Sequence, residues 1–236
     1  VELGRAFSYI FEDSEWTSKL LIAAVIGFGS IIPTPLLIGL VGWAALIGYQ
    51  VELIRNVRDG QPLPLPRWDN YGEKIRKGGS VMAAYFVYLL PVLVLACCSS
   101  GLSLLGGNGD GGFIMGTMGL AVSCCLVPLL LVYNLIIWPM LTLGTARFAD
   151  EGNIGVFFQF GDLFNTLYRK LGVTLTWMVF AFVANFVIGI IGSIPCIGWV
   201  AAPPLIIAVQ GHLAAQLAAQ VEDAPRNLKP KRMGYM

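Results

Sequence analysis

The chain has 236 residues, 56% of them hydrophobic and 12% charged, with a mean hydropathy of +0.73 and a formal net charge of +1. A water-soluble domain carries about 25% charged residues, so a chain this poor in charge has lipid as the solvent for most of its surface. The near-neutral balance excludes a nucleic-acid partner, which favours a basic patch with stacking aromatics.

Leu3, Phe7, Ile10 and Phe11 share one helical face, with Glu2, Arg5, Ser8 and Glu12 around the other. This predicts a short amphipathic helix lying in a membrane interface. Its acidic residues and lack of a basic leader do not read as a cleavable signal peptide. Asp13 or Ser14 can cap the next helix, with Glu15 in its first turn.

No charge occurs from Leu20 to Val51. As one helix that run would measure about 48 Å against a hydrocarbon core of ~30 Å. Pro33-Thr34-Pro35 interrupts it, because two close prolines remove donors and clash with the preceding turn. The expectation is a hairpin with spans over 17–32 and 36–57. The first is short, which leaves a re-entrant hairpin open.

Val51 to Gly78 is the longest polar stretch and holds Arg55, Arg58, Arg67, Lys74, Arg76 and Lys77. Asp59-Gly60 ends the second span, and Pro62, Pro64 and Pro66 alternate with leucines as a polyproline II spacer. Trp68 and Tyr71 suit an interfacial aromatic belt. Arg67, Trp68, Asp69 and Tyr71 form a candidate docking site for a partner.

A third span is expected over 79–105, then a flexible Gly106–Gly112 turn, then an uncharged run from Phe113 to Ala146. We place a fourth span over 113–146; Pro128 and Pro139 kink it, or its first turns belong to the outer loop. Phe160, Leu163, Phe164, Leu167 and Leu171 share a face opposite Asp162, Asn165, Arg169 and Lys170, a second interfacial helix. Spans five and six follow over 171–193 and 197–221, and a polar tail covers 222–236. The fold class is thus all-α: a polytopic membrane protein of about six spans, as three hairpins plus two short interfacial helices, in one membrane domain over 1–221.

All 15 basic residues fall in the N-terminal arm, the 51–78 stretch, the 147–170 loop and the tail. None lies in the three turns at 33–35, 106–112 and 194–196. The positive-inside rule therefore puts both termini in the cytoplasm of a multi-pass inner-membrane protein. Gly29-Ser30-Ile31-Ile32-Pro33 recurs as Gly192-Ser193-Ile194-Pro195, and Gly4-Arg5-Ala6-Phe7 has a counterpart in Gly161-Asp162-Leu163-Phe164. Either a parallel repeat or shared hairpin chemistry explains this.

His212, Gln216 and Gln220 are spaced i, i+4, i+8 on the last span, a candidate polar stripe. Gly211, Ala215 and Ala219 form a small-residue stripe beside it that suits close helix packing. The stripe serves interhelical hydrogen bonding, or a polar path or head-group site with His212 as a titrating element. Asn134, Asn185 and Gln50 read as interhelical glue. Cys97-Cys98 and Cys124-Cys125 read as small buried residues, since adjacent helical positions diverge by about 100° and rarely share one ion. No metal, cofactor or catalytic residue is expected: the chain has no nucleophile–base pair, phosphate loop or HExxH motif.

Gly4-Arg5-Ala6-Phe7-Ser8-Tyr9, Phe11-Glu12-Asp13-Ser14-Glu15-Trp16, the turn at Ile32-Pro33, Pro62-Leu63-Pro64 and Trp68-Asp69 before Gly72 resemble a known family. It comprises bacterial and archaeal integral membrane proteins grouped as domain-of-unknown-function family 4013. A proline often stands in that family where this chain has Ser14. The resemblance implies a multi-span membrane protein and supplies no activity. The functional expectation is a non-catalytic scaffold or accessory subunit that packs against membrane lipids and other membrane-protein subunits. The alternative is a small-solute or lipid transporter using the polar stripe.

Overall fold

The computed structural model describes residues 1–31, 33–105, 110–195 and 197–222, with side chains at all of these except 36, 98–123, 125 and 197. Most of the Gly106–Gly112 turn, the tail beyond Glu222, Cys196, and the side chains of Cys98 and Cys125 lie outside the described residues. Among those residues every regular element is helical. The eight helices are α1 (Leu3–Glu12), α2 (Trp16–Ile31), α3 (Gly39–Arg58), α4 (Tyr71–Leu105), α5 (Asp110–Glu151), α6 (Phe160–Arg169), α7 (Leu171–Gly192) and α8 (Ile197–Val221).

Among the described residues, four stretches are long and apolar enough to cross a membrane: Tyr71–Cys97, Leu126–Glu151, Leu171–Gly192 and Gly198–Val221. That combination of length and composition suggests a membrane protein. Helix α2 is apolar but has 16 residues, about 24 Å of rise. Helix α3 carries Glu52, Arg55 and Arg58 on its last two turns. Helices α4 and α5 run well past the expected span boundaries. Residues 73–78, read from sequence as loop, already form the first turns of α4, and Arg147 lies within α5. Between α3 and α4 only residues 59–70 are non-helical.

Both ten-residue helices dock by an i, i+4 apolar pair, Ala6 with Ile10 in α1 and Leu163 with Leu167 in α6. Asp13 settles the start of α2. Its Oδ1 accepts from the Glu15 N–H at 2.8 Å, and Trp16 N–H reaches the Asp13 carbonyl at 3.1 Å. Glu15 therefore precedes the helix instead of occupying its first turn. The turn after α2 is a single 3-10 turn, Thr34–Leu36, closed by Gly39 N–H on the Pro33 carbonyl at 3.1 Å.

The closest crossing joins α3 and α4. A Cβ on Gly48 would stand 1.9 Å from the Lys74 carbonyl oxygen, and one on Gly78 would stand 1.8 Å from that of Ala44. The two backbones touch, and only glycine fits at either point. Helix α8 is the hub, packed against α7, α3, α2, α5 and the amphipathic helices. Its Val209, Leu213 and Leu217 are buried in the core with Leu53, Leu143, Phe157, Trp177 and Ile188.

Candidate functional site

The polar stripe on α8 meets α1. His212 is buried and stacks on Tyr9 with ring centroids 4.5 Å apart. Tyr9 in turn donates its hydroxyl to the Ala208 carbonyl at 2.9 Å. Gln216 accepts from the Glu2 N–H at 2.5 Å and donates to the Glu2 carbonyl at 3.2 Å and to His212 Nδ1 at 2.9 Å. The Glu2 N–H is one of the unpaired donors at a helix start, so Gln216 acts as a cap for α1 supplied by another helix. With Nδ1 accepting, the neutral imidazole carries its proton on Nε2.

Gln220 does not join this lock. It is exposed, and with Arg5, Tyr9, His212 and the Gly60–Pro64 segment it lines a pocket of about 450 Å³. In the small-residue stripe, Gly211 and Ala215 are buried, and a Cβ at Gly211 would stand 2.9 Å from Leu53 Cδ2 on α3. Ala219, expected to pack against a helix, is exposed and lies on the pocket wall. Its face of α8 opens onto that pocket, while Val221 and Glu222 just beyond it are again packed against the bundle. From sequence Arg5 was read on the polar face of α1, and Tyr9 only within the run that carries the family resemblance. Tyr9, three residues on from Ala6 along the face that α1 buries, was the available signal for a polar contact there.

The segment between α3 and α4 is folded down onto α2 by buried polar groups. Lys19 Nζ pairs with Asp13 Oδ2 at 2.6 Å and donates to the Leu65 carbonyl at 3.2 Å. Burial alone would raise the Asp13 carboxyl. The Lys19 ammonium and the Glu15 N–H outweigh that and hold it below the usual aspartate range. Asn56 donates to the Pro64 carbonyl at 3.0 Å, which fixes the proline spacer against α3.

Of the candidate docking residues, Trp68 is half-buried and committed internally. Its Nε1 donates to the Lys19 carbonyl at 2.8 Å, and its ring stacks between Tyr49 at 4.7 Å and Tyr71 at 5.9 Å. Arg67, Asp69 and Tyr71 are exposed. Arg67 and Asp69 border a polar depression of about 470 Å³, and Asp69 also borders an adjoining one of about 280 Å³. Lys74 lies buried beneath, paired with Glu52 at 2.7 Å and bonded to the Asp69 carbonyl at 3.1 Å.

A third group was not anticipated from sequence. Glu222, just past α8, takes Arg58 Nη2 at 2.6 Å and Arg147 Nε at 2.9 Å on its two oxygens. Arg147 continues to Asp162 and, at 3.2 Å, to Thr166 Oγ1 on α6. Arg58 Nη1 also lies 2.9 Å from Asp150 Oδ2, without hydrogen-bond alignment. Four helices, α3, α5, α6 and α8, are tied at one end of the bundle. Arg147 within α5, closing a long uncharged run, was the visible signal.

Among the described residues no cluster of three or more His, Cys, Asp or Glu side chains is placed to hold a metal. Cys97 and Cys124 are free and exposed, not the buried residues expected from sequence, because both lie on outward faces of α4 and α5. A protein-family model described as "Protein of unknown function (DUF4013)" matches residues 20–197. No curated protein and no solved structure gives a significant match.

Proposed function

Because the chain belongs to the DUF4013 family, whose description carries no activity, we propose from its own geometry that it is a non-catalytic scaffold or accessory subunit of a membrane assembly. In this reading six membrane segments form three hairpins, with α2 and α3 completing the set begun by the four long apolar helices. The basic residues face the cytoplasm, and α1 and α6 lie in the inner leaflet's interface.

One observation carries the reading: the polar groups that could do chemistry are already engaged in holding helices together. His212 and Gln216 fasten α1, Lys19 and Asp13 fasten the α3–α4 segment, and Glu222 joins two arginines. Among the groups left accessible is a rim, Arg67 and Asp69 on two polar depressions, with Tyr71 exposed close by in sequence. A rim of this kind suits a charged segment of a partner subunit. Purification from native membranes in mild detergent should yield a stoichiometric companion. Arg67→Glu with Asp69→Lys should release it while the protein stays folded. Recovery of the protein alone, or an unchanged companion in the double variant, would argue against the reading.

The pocket at Arg5, Tyr9, His212 and Gln220 favours a second reading, passage of a lipid head group or small solute. Fluorescent phospholipid crossing the bilayer of reconstituted vesicles, and stopping in His212→Ala, would support it.

A further inference from the structure

Asn134 takes part in none of the ties between helices. It sits in the Leu126–Glu151 stretch of α5, about 12 Å along the helix from Leu126 and about 25 Å from Glu151. That depth lies inside the hydrocarbon if the stretch crosses the membrane. It is exposed, and no other carboxamide among the described residues is exposed along the candidate spans short of their ends.

Its neighbours behave differently. Tyr133 donates across to the Tyr88 carbonyl at 2.6 Å, Tyr88 donates to the Phe157 carbonyl, and the Tyr85 and Thr145 hydroxyls pair at 3.1 Å. These polar groups are satisfied within the chain. Asn134 makes one bond, from Nδ2 to the Leu130 carbonyl at 2.8 Å on its own helix. Its Oδ1 and second N–H remain, facing outward where lipid tails can neither donate nor accept. A polar group left unmet in hydrocarbon is costly, and such residues face protein.

The surroundings describe what that protein is. Asn134 lies in a groove of about 320 Å³ between α4 and α5, lined by Phe86, Leu89, Tyr133 and Ile137. Immediately beside it α5 raises an exposed ridge at Val127, Leu131 and Leu135. One patch thus offers both a groove and a ridge, as an isologous contact requires of each partner. An amide offering one free donor and one free acceptor is complementary to itself. We propose that this face of α4 and α5 binds a second copy of the same chain in the membrane, with the two Asn134 amides bonded to each other near a two-fold axis. The proposal rests on the membrane-spanning reading above.

The test is single-molecule photobleaching of the full chain, one fluorophore per copy, in dilute lipid vesicles. The wild type should bleach mainly in two steps and Asn134→Leu mainly in one, a several-fold rise in monomer. Leu131→Trp, which blocks the same ridge, should act alike, and Phe182→Ala on the outward face of α7 should stay dimeric. Leu131→Trp carries the test if Asn134→Leu does not fold. One-step bleaching of the wild type, two-step bleaching that survives both α5 variants, or a different membrane protein bound one-to-one at this face would each overturn the proposal. Alkaline carbonate extraction is run alongside. Release of the chain from membranes would show that the membrane reading itself had failed, whereas a retained monomer defeats the dimer alone.

Discussion

Asp13 has 2% of its surface exposed, yet its carboxyl is held below the usual aspartate range by Lys19 and the Glu15 N–H. A carboxylate with a lowered pKa in the folded state adds stability that is complete above its unfolded pKa, near 3.9, and is lost as pH falls through the folded value. The protein should therefore lose stability progressively below about pH 4. Asp13→Asn should flatten that acid limb while lowering stability at neutral pH by about 3 kcal/mol, because buried Lys19 then keeps only the exposed Glu15 carboxylate, 3.9 Å away, as a counter-charge. Thermal melts in detergent across pH would measure both effects. Gln216→Leu is a second case at this scale. It frees the exposed Glu2 N–H and carbonyl to water and removes the partner of buried His212 Nδ1, so the start of α1 should fray at a cost of about 1 kcal/mol. Hydrogen exchange should speed up at the start of α1 and stay slow in α3 and α4. Unchanged protection in α1 would mean that the stripe has a role other than fastening that helix.

The contact between α3 and α4 puts the same logic on whole elements. Gly48 and Gly78 let the two backbones touch, and side chains there would stand 1.9 and 1.8 Å from carbonyl oxygens. No rotamer relieves a clash with backbone, so Gly78→Val should cost about 3 kcal/mol or more and displace α4. Gly79→Val, whose Cβ meets nothing within 4 Å, should be nearly silent. Comparing the yield of folded protein for the two variants is a sharp check. These elements also show what the sequence made legible. Apolar runs and proline breaks found the hydrophobic stretches and the turn at Pro33, because hydrocarbon thickness and a missing N–H are local constraints. They misplaced the ends of α4 and α5, where charged first or last turns stay helical once buried partners accept them. Lys74 is a loop residue by composition, and Glu52 and the Asp69 carbonyl make it a core one. His212 to Gln220 was visible as a stripe. That its first two members would fasten α1 while Gln220 stayed exposed depended on where a distant helix docked, and spacing holds no record of that. The two Gly-Ser-Ile motifs likewise share chemistry without sharing packing. Ser30 and Ser193 each bond back to a carbonyl of their own helix, while α1 rests on α8 and α6 rests chiefly on α5 and α7.

At the scale of the molecule, the buried charges gather at one end of the bundle. Lys19 starts α2, Arg58 ends α3, Lys74 starts α4, Arg147 lies in the last turns of α5, and Glu222 follows α8. Lys19 and Lys74 bind the α3–α4 segment, and Glu222 joins Arg58 to Arg147, so the helices that begin and end there are held in register by ion pairs whose cations are largely buried. Glu222 is central because its two oxygens serve two arginines. Glu222→Gln should leave both under-neutralised, cost about 3 kcal/mol and loosen α6 together with α8. The opposite ends carry no basic residue in the turns at 33–35 and 194–196. If this asymmetry sets orientation, single cysteines at Arg67 and at Ser193, placed in a cysteine-free background, must lie on opposite sides of the membrane. An impermeant maleimide should then label Arg67→Cys in inverted inner-membrane vesicles and Ser193→Cys in intact spheroplasts. Labelling of both from one side would remove the hairpin arrangement of α7 and α8. Labelling in the reverse sense would keep the hairpins and place the Arg67–Asp69 rim outside the cell, where a cytosolic partner could not reach it.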